Sequence, residues 1–158
     1  QLKKMPTITS EIIIQAPLLE VWEIAQDVEN LPAIMPDLDA VKILEDEKTS
    51  PATRRTVTQW TGRIKQFNRK MSWTEEDIWN YETFSCHFWQ IKGDFDDYKG
   101  EYKFTREGNG TRVQIEVQYL FNVPLLGALM TKVVQKLMQD NSNSLLAALK
   151  QRCETKQS

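Results

Sequence analysis

Apolar residues change their spacing along this chain, and each change marks an element. From Ile8 to Gln15, the β-branched run Ile12, Ile13 and Ile14 predicts a first strand. Pro17 then opens a helix, because a first-turn residue needs no N–H. Leu18, Val21, Trp22, Ile24, Ala25 and Val28 follow at helical spacing. A second helix starts near Asn30 and takes in Leu31, Ile34 and Met35, kept short by Pro32 and Pro36.

Beyond Asp37 the period drops to two. Val41 and Ile43 predict a second strand, Glu45 to Pro51 a polar hairpin loop, and Ala52 to Thr61 a third strand. Gly62 permits a turn or bulge before a fourth strand, Arg63 to Thr74, one face of which carries Phe67, Arg69, Met71 and Trp73. The fifth, Tyr81 to Gln90, aligns Phe84, Cys86, Phe88 and Gln90. The sixth ends at Arg106 and aligns Tyr98, Tyr102 and Phe104, with Gly100 between them. Asn109-Gly110 accepts positive φ at successive positions and predicts a tight reversal. In the seventh strand Val113, Ile115, Val117, Tyr119 and Phe121 alternate with Arg112, Gln114, Glu116 and Gln118, so one face is buried and one is wet. After Pro124, apolar positions from Leu125 to Leu149, among them Met130, Val134 and Met138, trace one long amphipathic helix. Its polar interruption, Asp140 to Ser144, predicts a bend.

This order of elements is an α+β arrangement: a seven-stranded curved antiparallel sheet around a long C-terminal helix, with two short helices after the first strand. At 158 residues the chain makes one domain with a substantial core. A sheet so curved leaves a gap beneath the helix, which side chains must fill or line. Phe67, Met71, Trp73, Phe84, Phe88, Tyr102 and Tyr119 face that gap. As packing they form a core. As lining they form a hydrophobic site to which Met35, Met130 and Val134 contribute, the thioethers adapting to an irregular guest. Alternation puts Arg69 on the same face, where an unpaired guanidinium is costly. It therefore pairs with an interior carboxylate, turns outward at a bulge, or presents its fork to a ligand. Gln90, Thr56 and Thr58 are further polar candidates.

Charge and chemistry narrow the functional classes. With 22 acidic against 20 basic residues, the chain has no overall attraction for a phosphate backbone, so no nucleic acid partner is expected. Cys86 and Cys153 have neither metal nor disulfide-framework spacing, which fits a reducing, cytoplasmic setting, and no metal or cofactor is implied. No apolar run approaches the roughly 20 residues of a membrane span. The lone His87 lies on the strand face opposite Phe88 and reads as exposed. Two acidic groups, Glu75 to Asp77 and Asp94 to Asp97, read as solvated hairpin turns. Trp60, Trp79 and Trp89 are candidates for an exposed contact patch.

Ile14-Gln15-Ala16-Pro17, Glu20-Val21-Trp22, Asp27-Val28-Glu29-Asn30-Leu31-Pro32 and Ile34-Met35-Pro36 resemble a signature of the START-like helix-grip superfamily. Within it they look most like the polyketide cyclase/dehydrase and coenzyme Q-binding group. The Gly110-Thr111 turn and the Pro124 to Leu149 helix lie where that pattern puts them. The resemblance implies a helix-grip fold whose cavity accepts a hydrophobic small molecule: a lipid, an isoprenoid quinone or an aromatic polyketide. Transient contact with a membrane is compatible with such a partner. It also implies, for cyclases, a deep arginine that orients a polyketone, a role Arg69 would fill. In the coenzyme Q-binding branch an aromatic residue follows the second helix's proline, whereas Asp37 stands there in this chain.

Overall fold

The structure, a computed structural model, describes residues 5–65, 68–121 and 127–155. Strand β1 (Thr7–Ile14) leads through Pro17 into α1 (Leu18–Ala25), and a single 3-10 turn (Leu31–Ala33) follows. Six strands come next: β2 (Leu38–Lys48), β3 (Thr53–Ile64), β4 (Arg69–Asn80), β5 (Ser85–Gly93), β6 (Asp97–Glu107) and β7 (Gly110–Leu120). The chain then forms α2 (Gly127–Thr155). The sheet is wholly antiparallel in the order β1-β7-β6-β5-β4-β3-β2, which is the helix-grip topology. None of the described helices is long and apolar enough to cross a membrane.

Several boundaries differ from the sequence expectation. Gly62 makes no turn: it pairs with Met71 and Arg63 pairs with Lys70, so β3 runs on to Ile64 and β4 begins at Arg69, while β5 begins at Ser85 after a turn at 81–84. Glu45 to Lys48 is strand, not loop, because Asp46 pairs with Arg54 at 2.7 Å and Glu45 and Glu47 reach Arg55 at 3.5 and 3.4 Å across the β2–β3 ladder. Strand β4 runs on to Asn80, so Glu75 to Asp77 lies in the sheet and is no turn. Helix α2 continues through Asp140 to Ser144 as helix. Its polar residues there bond the edge strand instead: Asn143 Oδ1 accepts from Ser10 Oγ at 2.6 Å, and nearby Gln139 Nε2 donates to the Thr9 carbonyl at 2.9 Å.

Packing differs between the two ends of the grip. At one end Trp22 of α1 inserts edge-on among Trp79, Phe84 and Phe104, with centroids 5.6, 5.3 and 5.2 Å away. Centrally, the Phe88 ring lies across Gly100, where an added Cβ would come within 2.4 Å of Phe88 Cζ and of the Glu116 carbonyl oxygen. Toward the other end Trp60, Trp73, Phe95 and Tyr98 pack on one another along the sheet and leave space beneath α2.

Candidate functional site

That space has two lobes. The larger, about 210 Å³, is lined by Met71, Phe95 and Phe121 from the sheet side and Val134, Leu137 and Met138 from α2. The smaller, about 60 Å³, is lined by Thr56, Thr58, Glu75, Asp77, Phe88 and Tyr102, with Leu145, Leu146 and Leu149 above. Met35, Leu38, Trp73, Tyr98 and Asn141 line both, so the two lobes adjoin at these side chains. The larger lobe meets the surface between Asp37, Lys65 and Asp140, and an ion pair of 3.3 Å joins Asp37 to Lys65 at that rim.

Strand alternation builds the floor. On β4, Met71, Trp73, Glu75, Asp77 and Trp79 are all buried. They oppose Gly62, Trp60, Thr58, Thr56 and Arg54 of β3. Facing residues therefore meet as pairs. Trp73 stacks on Trp60 with planes 3° apart and centroids 5.9 Å apart. Asp77 Oδ2 accepts from Thr56 Oγ1 at 2.9 Å and from Thr58 Oγ1 at 2.8 Å. Trp60 Nε1 donates to Thr58 Oγ1 at 2.9 Å, and Trp73 Nε1 donates to Glu75 Oε1 at 2.8 Å.

Two carboxyl groups in mutual hydrogen-bond contact thus line the smaller lobe. Burial pushes the Glu75 carboxyl well above its ordinary range, and the Asp77 charge beside it pushes further the same way. Asp77 is also raised by burial, but hydrogen bonds from Glu75, Thr58 and Thr56 oppose that rise. Two adjacent buried carboxylates cannot both ionise cheaply, so the pair titrates as a unit, and the Thr56 and Thr58 hydroxyls favour its charge on Asp77. Tyr98 and Tyr102 are both raised well above the usual phenol range, burial being the main cause, and stay neutral. Burial likewise holds the Cys86 thiol protonated.

Among the sequence candidates, Met35, Trp73, Phe88 and Tyr102 line the smaller lobe, and Met35, Met71, Trp73 and Val134 the larger. Phe67 lies outside the described residues. Arg69 is exposed at the start of β4, its guanidinium carbon 5.5 Å from the centroid of the Phe121 ring, and lines neither lobe. Phe84 sits in the turn before β5 at φ 48°, packed on Trp22 instead of the cavity. Tyr119 is buried in the sheet and Met130 half-buried on α2, and neither lines a lobe. Gln90 spends its amide on the backbone of Phe95, and Trp60 and Trp79 are buried, leaving Trp89 as the exposed tryptophan of that trio. His87 is exposed, 3.8 Å from Glu101. No group of three potential metal ligands occurs among the described residues. The carboxyl pair escaped the sequence reading, although continuing the period of two past Trp73 leads directly to Glu75, Asp77 and Trp79.

A family model described as "Polyketide cyclase / dehydrase and lipid transport" matches residues 14–146. Among solved structures, TTHA0849 from Thermus thermophilus is 34% identical and superposes with a TM-score of 0.88, covering 97% of this chain and 100% of that one. The Zhui aromatase/cyclase from Streptomyces sp. R1128 has a TM-score of 0.84 at 17% identity, over 98% of this chain and 96% of that one. CC1736 from Caulobacter crescentus has a TM-score of 0.71 at 16% identity, over 96% and 97%. The last two show the fold alone. None of the curated proteins matches the chain.

Proposed function

Because the chain belongs to the polyketide cyclase/dehydrase and lipid transport family of START-like helix-grip proteins, we propose that it is a binding protein that encloses a hydrophobic, ring-containing small molecule beneath α2. The observation that carries this reading is the two-lobed cavity with aromatic walls and a polar floor. The driving term is burial of apolar ligand surface, about 25 cal/mol per Å² before the costs of association. An engineered apolar cavity of about 150 Å³ takes one benzene ring. The larger lobe, about 210 Å³, therefore suits a body of one or two rings without rearrangement, and longer guests would have to part α2 from the rim.

Native mass spectrometry of the purified protein, followed by organic extraction, tests the proposal. A co-purifying apolar molecule supports it, as does saturable quenching of tryptophan fluorescence by quinones or aromatic polyketides, since Trp60 and Trp73 line the cavity. An empty protein whose fluorescence no such compound moves refutes it.

The carboxyl pair favours a second reading, a cyclase or dehydratase in the same cavity. One protonated and one ionised carboxyl supply an acid and a base within reach of one ligand. Turnover of a bound polyketone that Glu75→Gln abolishes would support this, and turnover unchanged in that variant would exclude the pair.

A further inference from the structure

We infer that the Glu75–Asp77 pair sets the charge of the ligand: the smaller lobe receives a neutral hydroxyl or carbonyl group at the end of a ring compound and turns away a carboxylate. This rests on the reading of the cavity as a ligand site.

Room and polarity divide between the lobes. At about 60 Å³ the smaller lobe admits a polar end group, while the ring body stays in the larger lobe. Two phenols stand where that end would pass. Tyr98 is only 7% exposed, lines both lobes, and its hydroxyl has no hydrogen-bond partner among the described residues. Every fully enclosed side-chain nitrogen or oxygen among the described residues does have a partner, so the Tyr98 hydroxyl presents surface to the cavity. Tyr102 lines the smaller lobe, and its hydroxyl likewise has no hydrogen-bond partner among the described residues. A phenol that opens on the cavity can exchange a hydrogen bond to water for one to a ligand carbonyl or hydroxyl.

Among the described residues two cations bear on this lobe, Arg54 of β3, which the Asp77 charge attracts, and Arg152 of α2, which lines it, and each is already matched by a carboxylate outside the pair. Arg54 is engaged by Asp46 at 2.9 and 2.7 Å and by Gln26 at 3.0 Å. Arg152 is engaged by the carbonyl and carboxylate of Asp27, both at 2.8 Å. The other groups around the pair, Tyr98, Tyr102 and Cys86, are neutral, and Glu76 lies on the opposite face with Arg55. An entering carboxylate would meet like charge in a poorly screened site, where the two described cations, Arg54 and Arg152, are already paired.

Three probes of one shape test this by calorimetry at neutral pH: 2-naphthol, 2-naphthoate and 2-naphthylmethylammonium. Desolvation penalises both ions, whereas the sign of the floor separates them. The expected result is binding of 2-naphthol, with the ammonium at least about tenfold tighter than the carboxylate. Asp77→Asn should erase most of that asymmetry, and Glu75→Gln, which leaves Asp77 ionised, should keep it. If 2-naphthol binds and the two ions bind alike, or the carboxylate binds tighter, the inference is overturned and the cavity reading survives. If none of the three binds, the cavity reading itself fails. The wild-type comparison decides the matter even where a variant does not fold.

Discussion

Glu75 and Glu76 are neighbours on β4, identical in chemistry and opposite in surroundings. Glu76 points to the outer face, where Arg55 Nε donates to it at 2.6 Å and where Glu45 and Glu47 reach the same guanidinium. Glu75 points under α2, where its neighbours are a tryptophan N–H and a second acid. One residue of register therefore separates a compensated surface charge from a carboxyl that keeps its proton. Stability alone does not call for the inner arrangement, since apolar residues of similar size would fill the same positions at lower cost. Such costly groups concentrate at functional sites.

The largest expected contrast lies between the aromatic walls of the inner face and any residue of the outer one. Trp73→Ala removes the stack on Trp60, the contacts with Phe95 and Tyr98, and the N–H that Glu75 accepts. Urea denaturation should register a loss of about 3–5 kcal/mol. A loss below about 1 kcal/mol would mean that the cavity wall carries little of the packing. Gly100→Ala comes next. Its Cβ would meet both a backbone oxygen and the Phe88 ring at 2.4 Å, so about 1–3 kcal/mol of overpacking strain is expected in the same assay.

How much of this is legible in the chain follows from how far the period of two is allowed to run. Seven strands, the grip helix and the aromatic inner face follow from alternation and from Asn109-Gly110, and the structure has them. Composition ends the fourth strand at Thr74, because Glu75-Glu76-Asp77 is polar and polar runs ordinarily mark turns. Here two of the three acids face inward, and the hydroxyls that receive Asp77 belong to β3. That ladder is a fact of pairing between strands, invisible in either strand alone. Arg69 shows the converse. Its parity puts it with Met71 and Trp73, yet it begins the strand beside the rim of the larger lobe, where a guanidinium can reach solvent over Phe121.

Titration sharpens the contrast between the two acids. The Glu75 carboxyl is raised in the folded protein above its ordinary value of 4.5, and Asp77 is raised above 3.8, so the folded state holds their protons more tightly than the unfolded chain does. Their favourable contribution is complete below the unfolded values and is lost as pH rises through the folded ones. Wild type should therefore gain stability relative to Glu75→Gln as the pH falls toward 4.5, by at most about 1.4 kcal/mol per pH unit. Asp46 and Glu154, whose carboxyls are lowered by Arg54 and by the Gln15 N–H with Lys150, respectively, pull the opposite way but equally in both proteins. Paired denaturation curves across pH measure the difference. A variant that gains on wild type toward acid would mean that Glu75 is held as a carboxylate.

The smallest effect belongs to Glu76, and salt is the means of seeing it. Glu76→Gln weakens the contact with Arg55 Nε but leaves Glu45 and Glu47 at 3.5 and 3.4 Å from the same guanidinium, so the cation stays compensated and only part of the pairing is lost. That remaining loss is a Coulombic term at a partly solvated surface, where screening acts over about 3 Å at 1 M salt. It should shrink toward zero between low and molar salt. The Glu75→Gln difference, arising from desolvation and from an acid in direct contact, should hardly move over the same range. If both differences fell together with salt, ions would be reaching the floor of the smaller lobe, and Glu75 would be no more enclosed than its neighbour.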